Sequence, residues 1–300
     1  MSRDIKLVCG LFGLENFFPS EGIRSYINIA KEAEALGFDA VSVTDHVVMG
    51  KNLHKYPFGE FPLPSEAPWY EPLSVLNMIG SHTTSIKLAT AILITPLRNP
   101  ALLAKTAATI DVISNGRLEL GVGLGWQREE FEAAGVDFEN REEIFWETLT
   151  ILKKFWSESP TSHQGKYFQF DDIWCNPKPI QGADIPLLFG IKMTSENAKK
   201  IAAMGDGWIP IKTSRPFIED GSSLLNDAFE QAEKPLPRIR GQLPTITNEQ
   251  GYPDLDKTLE EFEKSYNAGL QEIEFFPINF IQSGEDIKPT LEKIAKLKGN

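Results

Sequence analysis

A (β/α)8 barrel with insertions is the α/β architecture this sequence predicts, and three observations predict it. Strand-like apolar segments alternate with helical patterns along the chain, the order that parallel βαβ units require. Eight such strands fall within 300 residues, a size at which barrels close as one domain. No linker, internal repeat or low-complexity tract interrupts residues 1–300, so a single domain is expected. A doubly wound open sheet satisfies the same alternation and stands as the alternative.

The elements follow in order. Residues 6–12 form an apolar strand. A helix over 22–36 places Ile23, Ile27, Ala30, Ala33 and Leu36 at three- and four-residue intervals and stops at Gly37. The second strand is 40–44. A loop over 47–70, rich in Pro and aromatics, reads as a lid across one end of the barrel. Helix 72–83, strand 87–94, helix 100–114 (opened by Pro100) and strand 117–122 complete the first half. A helix over 141–156 carries Ile144, Phe145, Leu149, Leu152 and Phe155 on one face. An inserted segment, 157–184, is strand-like at 166–174 and ends near Pro177 and Pro179. The remaining elements are strand 186–190, helix 195–204, strands 207–211 and 238–243, helix 255–268, strand 271–276 and helix 285–298.

Composition excludes several classes. With 41% hydrophobic and 24% charged residues, and only 23 Gly and 20 Pro, the chain is neither fibrous nor disordered. A net charge of −12 repels phosphate backbones, and the longest basic runs are pairs such as Lys153-Lys154 and Lys199-Lys200, so nucleic acid is not an expected partner. No apolar run reaches the roughly 18 to 20 residues of a membrane span. The start, Met1-Ser2-Arg3-Asp4-Ile5, leads straight into a strand and shows no secretory signal. Cys9 and Cys175 make no disulfide framework or metal knuckle, which points to a reducing cytoplasm, with Cys9 a core residue. The four histidines lack zinc-ligand spacing.

In a barrel, chemistry gathers at the C-terminal strand ends, and these ends carry the polar and glycine residues here. The second strand ends in Asp45-His46, a pair suited to proton transfer or hydrogen bonding; a satisfied, partly buried histidine is the plainer alternative. The fourth ends in Gly121-Val122-Gly123-Leu124-Gly125-Trp126. A dinucleotide fingerprint needs a third glycine where Trp126 stands, and it belongs after a first strand rather than a fourth. The glycines either admit a flat ligand close to the backbone or simply turn the chain. After the fifth strand come Gly190, Lys192 and the helix start Thr194-Ser195, which is either an anion site or an ordinary N-cap.

Together these segments resemble the bacterial luciferase-like monooxygenase superfamily, and most closely its branch of coenzyme F420-dependent oxidoreductases. The resemblance is carried by the run from Gly116 to Trp126 leading into Glu129-Glu130-Phe131-Glu132-Ala133-Ala134-Gly135. Val43-Thr44-Asp45-His46, Phe61-Pro62-Leu63-Pro64, Pro96-Leu97-Arg98-Asn99-Pro100, Phe170-Asp171-Asp172 and Gly205-Asp206-Gly207-Trp208 appear in the family's order. It covers the chain to about residue 210 and is only general beyond.

The resemblance implies a luciferase-like TIM barrel with FMN or coenzyme F420 at its C-terminal mouth. It implies a non-proline cis peptide at Ala91-Ile92 beneath the cofactor ring, and Asp45 and His46 at the ring's border as the catalytic pair. Gly121, Gly123, Gly125 and Trp126 would line the ring and its side chain, and Gly190, Lys192, Thr194 and Ser195 would hold the phosphate. Two departures qualify the transfer. The Gly-Gly-Asn-Ser of many relatives reads Gly190-Ile191-Lys192-Met193-Thr194 here, and Trp126 replaces the glutamate of the sugar-phosphate dehydrogenases. The expected activity is hydride transfer to or from an apolar small molecule with coenzyme F420. An FMN-dependent monooxygenase is the first alternative and a cofactor-free binding protein of the same fold the second. A small-molecule substrate is the expected partner, and a homodimer stands open.

Overall fold

The computed structural model describes residues 5–61 and 63–299; Met1–Asp4, which carry the reading of the chain start, and Pro62 of the Phe61-Pro-Leu-Pro stretch lie outside them. The chain runs β1 (Lys6–Gly10), α1 (Ser25–Ala35), β2 (Ala40–Val43), α2 (Pro72–Gly80), β3 (Lys87–Ile94), α3 (Pro100–Ile113) and β4 (Leu118–Gly123). It continues through α4 (Arg128–Ala134), α5 (Arg141–Ser157), the pair β5 (Thr161–Gln164) and β6 (Gln169–Ile173), β7 (Leu187–Phe189), α6 (Ser195–Met204) and β8 (Gly207–Trp208). Then follow α7 (Arg215–Gln231), β9 (Arg238–Gly241), α8 (Leu255–Glu260), α9 (Phe262–Asn267), β10 (Glu272–Phe275) and α10 (Ile287–Ala295).

Eight of these strands close a barrel in the order β1-β10-β9-β8-β7-β4-β3-β2, and every barrel pairing is parallel. The open-sheet alternative is thereby excluded, because the β1–β2 pairing joins the two ends of this order and leaves no edge strand. Buried strand residues such as Leu7, Val41, Leu88, Leu120, Leu187 and Ile273 join the inward faces of the helices in one apolar core. Two helices begin as their sequences dictate. Glu71 caps α2 by accepting from Ser74 N at 2.7 Å, and Asn99 caps α3 by accepting from Ala101 N at 3.0 Å, each followed by proline.

Three elements differ from the reading of the sequence. The 17-residue helix α7 occupies a stretch whose sequence shows no clear helical period, since its apolar stripe (Ile218, Leu225, Ala228, Phe229) is broken by Gly221 and Ser222. That break is a slot: a Cβ at Gly221 would lie 2.2 Å from Cη2 of the fully buried Trp208, so a larger residue cannot stand there. The expected single strand at 166–174 is half of an antiparallel hairpin, β5 with β6. The expected helix over 255–268 is divided at Glu261 into α8 and α9.

The N-terminal end of the barrel is closed by charge. Arg238 donates to Glu119 (2.9 Å) and Glu272 (2.5 Å), and the fully buried Arg240 donates to the same two carboxylates at 2.5 and 2.8 Å. Burial works against ionising Glu119, but the two guanidinium groups prevail and hold its carboxyl at about 2. A cavity of about 320 Å³ opens at this end, lined by Lys6, Lys87 and the same four charged residues. This face of a barrel ordinarily serves stability, and the chemistry-bearing residues lie at the other. No helix among the described residues is long and apolar enough to cross a membrane.

Candidate active site at the barrel mouth

At the end of β2, adjacent residues face opposite ways, and Asp45 and His46 go to different partners. Asp45 is buried and accepts two bonds from Arg98 (2.6 and 3.0 Å) and one from Ile94 N (2.8 Å). Arg98 also donates to Glu71 at 3.0 Å. Burial lifts the Asp45 carboxyl, while Arg98 and the Ile94 N–H pull against that lift. The carboxylate thus ties the end of β2 to the end of β3 and to the start of α2.

His46 turns the other way. Its Nδ1 lies 2.9 Å from Oε2 of Glu130, a fully buried carboxylate whose Oε1 accepts from Val47 N at 2.8 Å. Its ring sits edge-on to Trp69 (4.6 Å between centroids), Phe61 (5.8 Å) and Trp126 (6.1 Å).

The end of β3 carries a cis peptide at Ala91-Ile92, the bond the family resemblance implied. Pairing with β4 shifts register between Thr90 and Leu93, and Ala91 and Ile92 are half-buried between fully buried neighbours. The glycines opposite are explained by this bulge. A Cβ at Gly121 would lie 2.1 Å from Thr90 O, one at Gly123 2.2 Å from Ile92 Cδ1, and one at Gly190 2.6 Å from Ile92 Cγ2. At these three glycines the room for a Cβ is therefore taken by β3 itself. Gly125 (φ +75°) makes the left-handed turn that delivers Trp126 to the mouth.

The 47–70 loop folds over these ends. Gln127, buried after Trp126, accepts from Gly50 N (2.7 Å) and donates to Gly50 O (3.1 Å). Tyr56 and Phe61 of the loop pack on Trp126 at 5.1 and 5.4 Å, and Trp69 packs on Phe12 at 4.8 Å. The space beside Trp69 is a cavity of about 10 Å³, room for one water. Within this aromatic cluster the indole N–H groups of Trp69 and Trp126 are buried and have no acceptor among the described residues.

Of the four expected phosphate donors, the Gly190 N–H is already engaged, on Val122 O (2.8 Å), whereas the Thr194 hydroxyl caps α6 by accepting from Asn197 N (3.1 Å) and keeps its own hydrogen to give. Lys192 and Ser195 are exposed, and their side chains have no hydrogen-bond partner among the described residues. Arg98 and Glu130 stand in the recognised motifs, but nothing in the sequence joined them to Asp45 and His46, which lie 53 and 84 residues away. Glu129 and Glu130 are two adjacent acids in the first turn of α4, where either complements the helix dipole, so the pattern does not single out the one that turns inward.

A family model described as luciferase-like monooxygenase matches residues 13–250. An uncharacterized protein of Mycobacterium tuberculosis is 33% identical over 238 residues, which is 76% of this chain and 82% of that protein. An F420-dependent glucose-6-phosphate dehydrogenase of Amycolatopsis mediterranei is 24% identical over 286 residues, covering 92% of this chain and 77% of that one. Among solved structures, a monooxygenase from Streptomyces bottropensis superimposes with a TM-score of 0.77 at 19% identity, covering 97% of this chain and 98% of that chain.

Proposed function

The chain belongs to the luciferase-like monooxygenase family, and from that premise we propose that it is an oxidoreductase holding coenzyme F420 at its barrel mouth, where hydride passes to or from an apolar small molecule. The observation that carries this reading is the pair of buried indole N–H groups, Trp69 Nε1 and Trp126 Nε1, flanking His46 without acceptors. Buried donors are nearly always satisfied. Two unsatisfied ones inside one aromatic cluster call for a flat guest that offers acceptors.

The residues present fit such a guest once the 47–70 loop lifts from the mouth. Ala91 and Ile92 form the floor beneath a ring, His46 and Trp126 its border, and Lys192 with the Ser195 turn of α6 the anchor for a phosphate. A bound deazaflavin supplies hydride chemistry, whereas a bound FMN also supplies reaction with oxygen. The protein's part is to orient the guest and exclude water, and Tyr56, Phe61, Trp69 and Trp126 do so as apolar walls. Trp126, which has no proton to take up, favours an apolar substrate over a sugar phosphate.

An FMN-dependent monooxygenase is the second reading, favoured by the description of the family itself. Titrating the purified protein separately with coenzyme F420 and with FMN, followed by visible absorbance, decides between them. Saturable binding of coenzyme F420 and oxygen-independent turnover are expected. Binding of FMN alone, with oxygen consumed, transfers the assignment to the monooxygenase. Binding of neither makes the chain a cofactor-free binding protein of this fold.

A further inference from the structure

Among the described residues, Glu130 is the one fully buried carboxylate that touches a candidate catalytic side chain. A carboxylate in the third position of a helix ordinarily faces water and complements the dipole. This one instead turns inward beneath the loop. Burying a carboxylate is costly unless donors surround it, and here each oxygen has one: Val47 N–H on Oε1 at 2.8 Å and His46 Nδ1 on Oε2 at 2.9 Å. A carboxylate has no hydrogen to give, so the hydrogen of the second contact belongs to Nδ1. Nδ1 is the ring nitrogen bonded among the described residues, so the opposite one, Nε2, is left for a ligand.

We infer that Glu130 is a positioning residue: it locks neutral His46 in the Nδ1–H tautomer, so that Nε2 offers a lone pair, not a hydrogen, to whatever occupies the mouth. The inference deepens the oxidoreductase reading and rests on it for the identity of the occupant, but the tautomer itself is a property of the protein alone. An acceptor at Nε2 selects a guest that presents a hydroxyl or an N–H at that point. The same nitrogen carrying a hydrogen would select a carbonyl.

The geometry makes the effect of one substitution specific. In Glu130→Gln the Val47 N–H still needs an acceptor, so the amide oxygen stays on its side and the amide NH2 faces His46. His46 Nδ1 must then accept, and the ring hydrogen moves to Nε2. A near-isosteric change that preserves packing thus reverses the tautomer, which loss of packing alone would not do.

The test is nitrogen NMR of ring-labelled histidine at a pH where His46 is neutral, with its signals assigned among the four histidines by their loss in His46→Asn. The wild-type protein should hold Nδ1–H over Nε2–H by about tenfold or more, as a charge-assisted bond gives, and Glu130→Gln should show the reverse. With the cofactor that the wild-type protein binds, Glu130→Gln should lower kcat by about tenfold or more with KM for the second substrate little changed. Wild-type His46 carrying its hydrogen on Nε2 overturns the inference, as does an unchanged tautomer in folded Glu130→Gln, or a reversed tautomer with undiminished kcat. Failure of coenzyme F420 and FMN to bind the wild-type protein, with the tautomers as stated, removes the oxidoreductase reading and leaves the role of Glu130 supported.

Discussion

Replacing Arg98 by Met removes the cation that holds the two strand ends together while keeping most of the side-chain length. Asp45 would lose the contacts at 2.6 and 3.0 Å and keep the single bond from Ile94 N at 2.8 Å. Its side chain has no exposed surface and Arg98 is 13% exposed, so solvent cannot replace what is lost. Stranding one partner of a buried pair costs about 3 to 5 kcal/mol, against at most about 1 kcal/mol for an exposed pair. The loss should depend on pH in a defined direction. Burial lifts the Asp45 carboxyl, with a further push from Glu130, and in the variant Arg98 no longer opposes that lift. The folded variant then takes up a proton at a higher pH than the unfolded chain. Its deficit relative to the wild-type protein should therefore be full at neutral pH and shrink as pH falls. Urea titrations at several pH values measure both effects. Adding Asp45→Asn to Arg98→Met should recover about 1 kcal/mol or more, because the stranded charge is gone. A single-variant loss under about 1 kcal/mol, or a double variant no more stable than the single, would refute the reasoning.

Gly121→Ala should destabilise by about 2 kcal/mol or more, since its Cβ would lie 2.1 Å from the backbone oxygen of Thr90, which cannot swing aside; thermal unfolding checks this. Ser195→Asp sets a carboxylate at the α6 start, and cofactor affinity should fall at least about tenfold, or about 1.4 kcal/mol, by titration; an unchanged Kd would move the phosphate anchor elsewhere. Trp126→Glu should weaken binding of apolar ligands without creating a sugar-phosphate enzyme, and turnover of glucose 6-phosphate by the unmodified protein would contradict the assigned substrate class. Acid should unfold the chain steeply. Burial opposes ionisation of Glu34 as it does of Glu119, but the N–H groups of Ile86, Ser85 and Thr84 prevail, so both carboxyls are held at about 2 against an ordinary 4.5. Their contribution is present above the ordinary value and is lost as pH falls from there toward 2. A flat stability profile across that interval in acid titration would contradict it.

The alternation of apolar strands and amphipathic helices determined a parallel α/β architecture, and the pairing of β1 with β2 decided that it closes as a barrel. Each pattern is local: a helix or strand announces its period within a dozen residues, and eight parallel strands leave few ways to close. The family motifs placed the cis peptide at Ala91-Ile92, where it is found. What the sequence concealed is whatever depends on two distant segments meeting. Gly221 and Ser222 disguised α7 because each answers to a distant element, Gly221 making room for Trp208 and Ser222 lying against Gly269. Gly121, Gly123 and Gly190 are small because the β3 bulge presses on them, a reason that lies in no single stretch of chain. Asp45 and His46 are neighbours in sequence yet separate in role, one held by Arg98 and the other by Glu130. Barrel closure brings β2, β3 and the loop after β4 side by side, and that juxtaposition, rather than any local propensity, decides which carboxylate receives which donor.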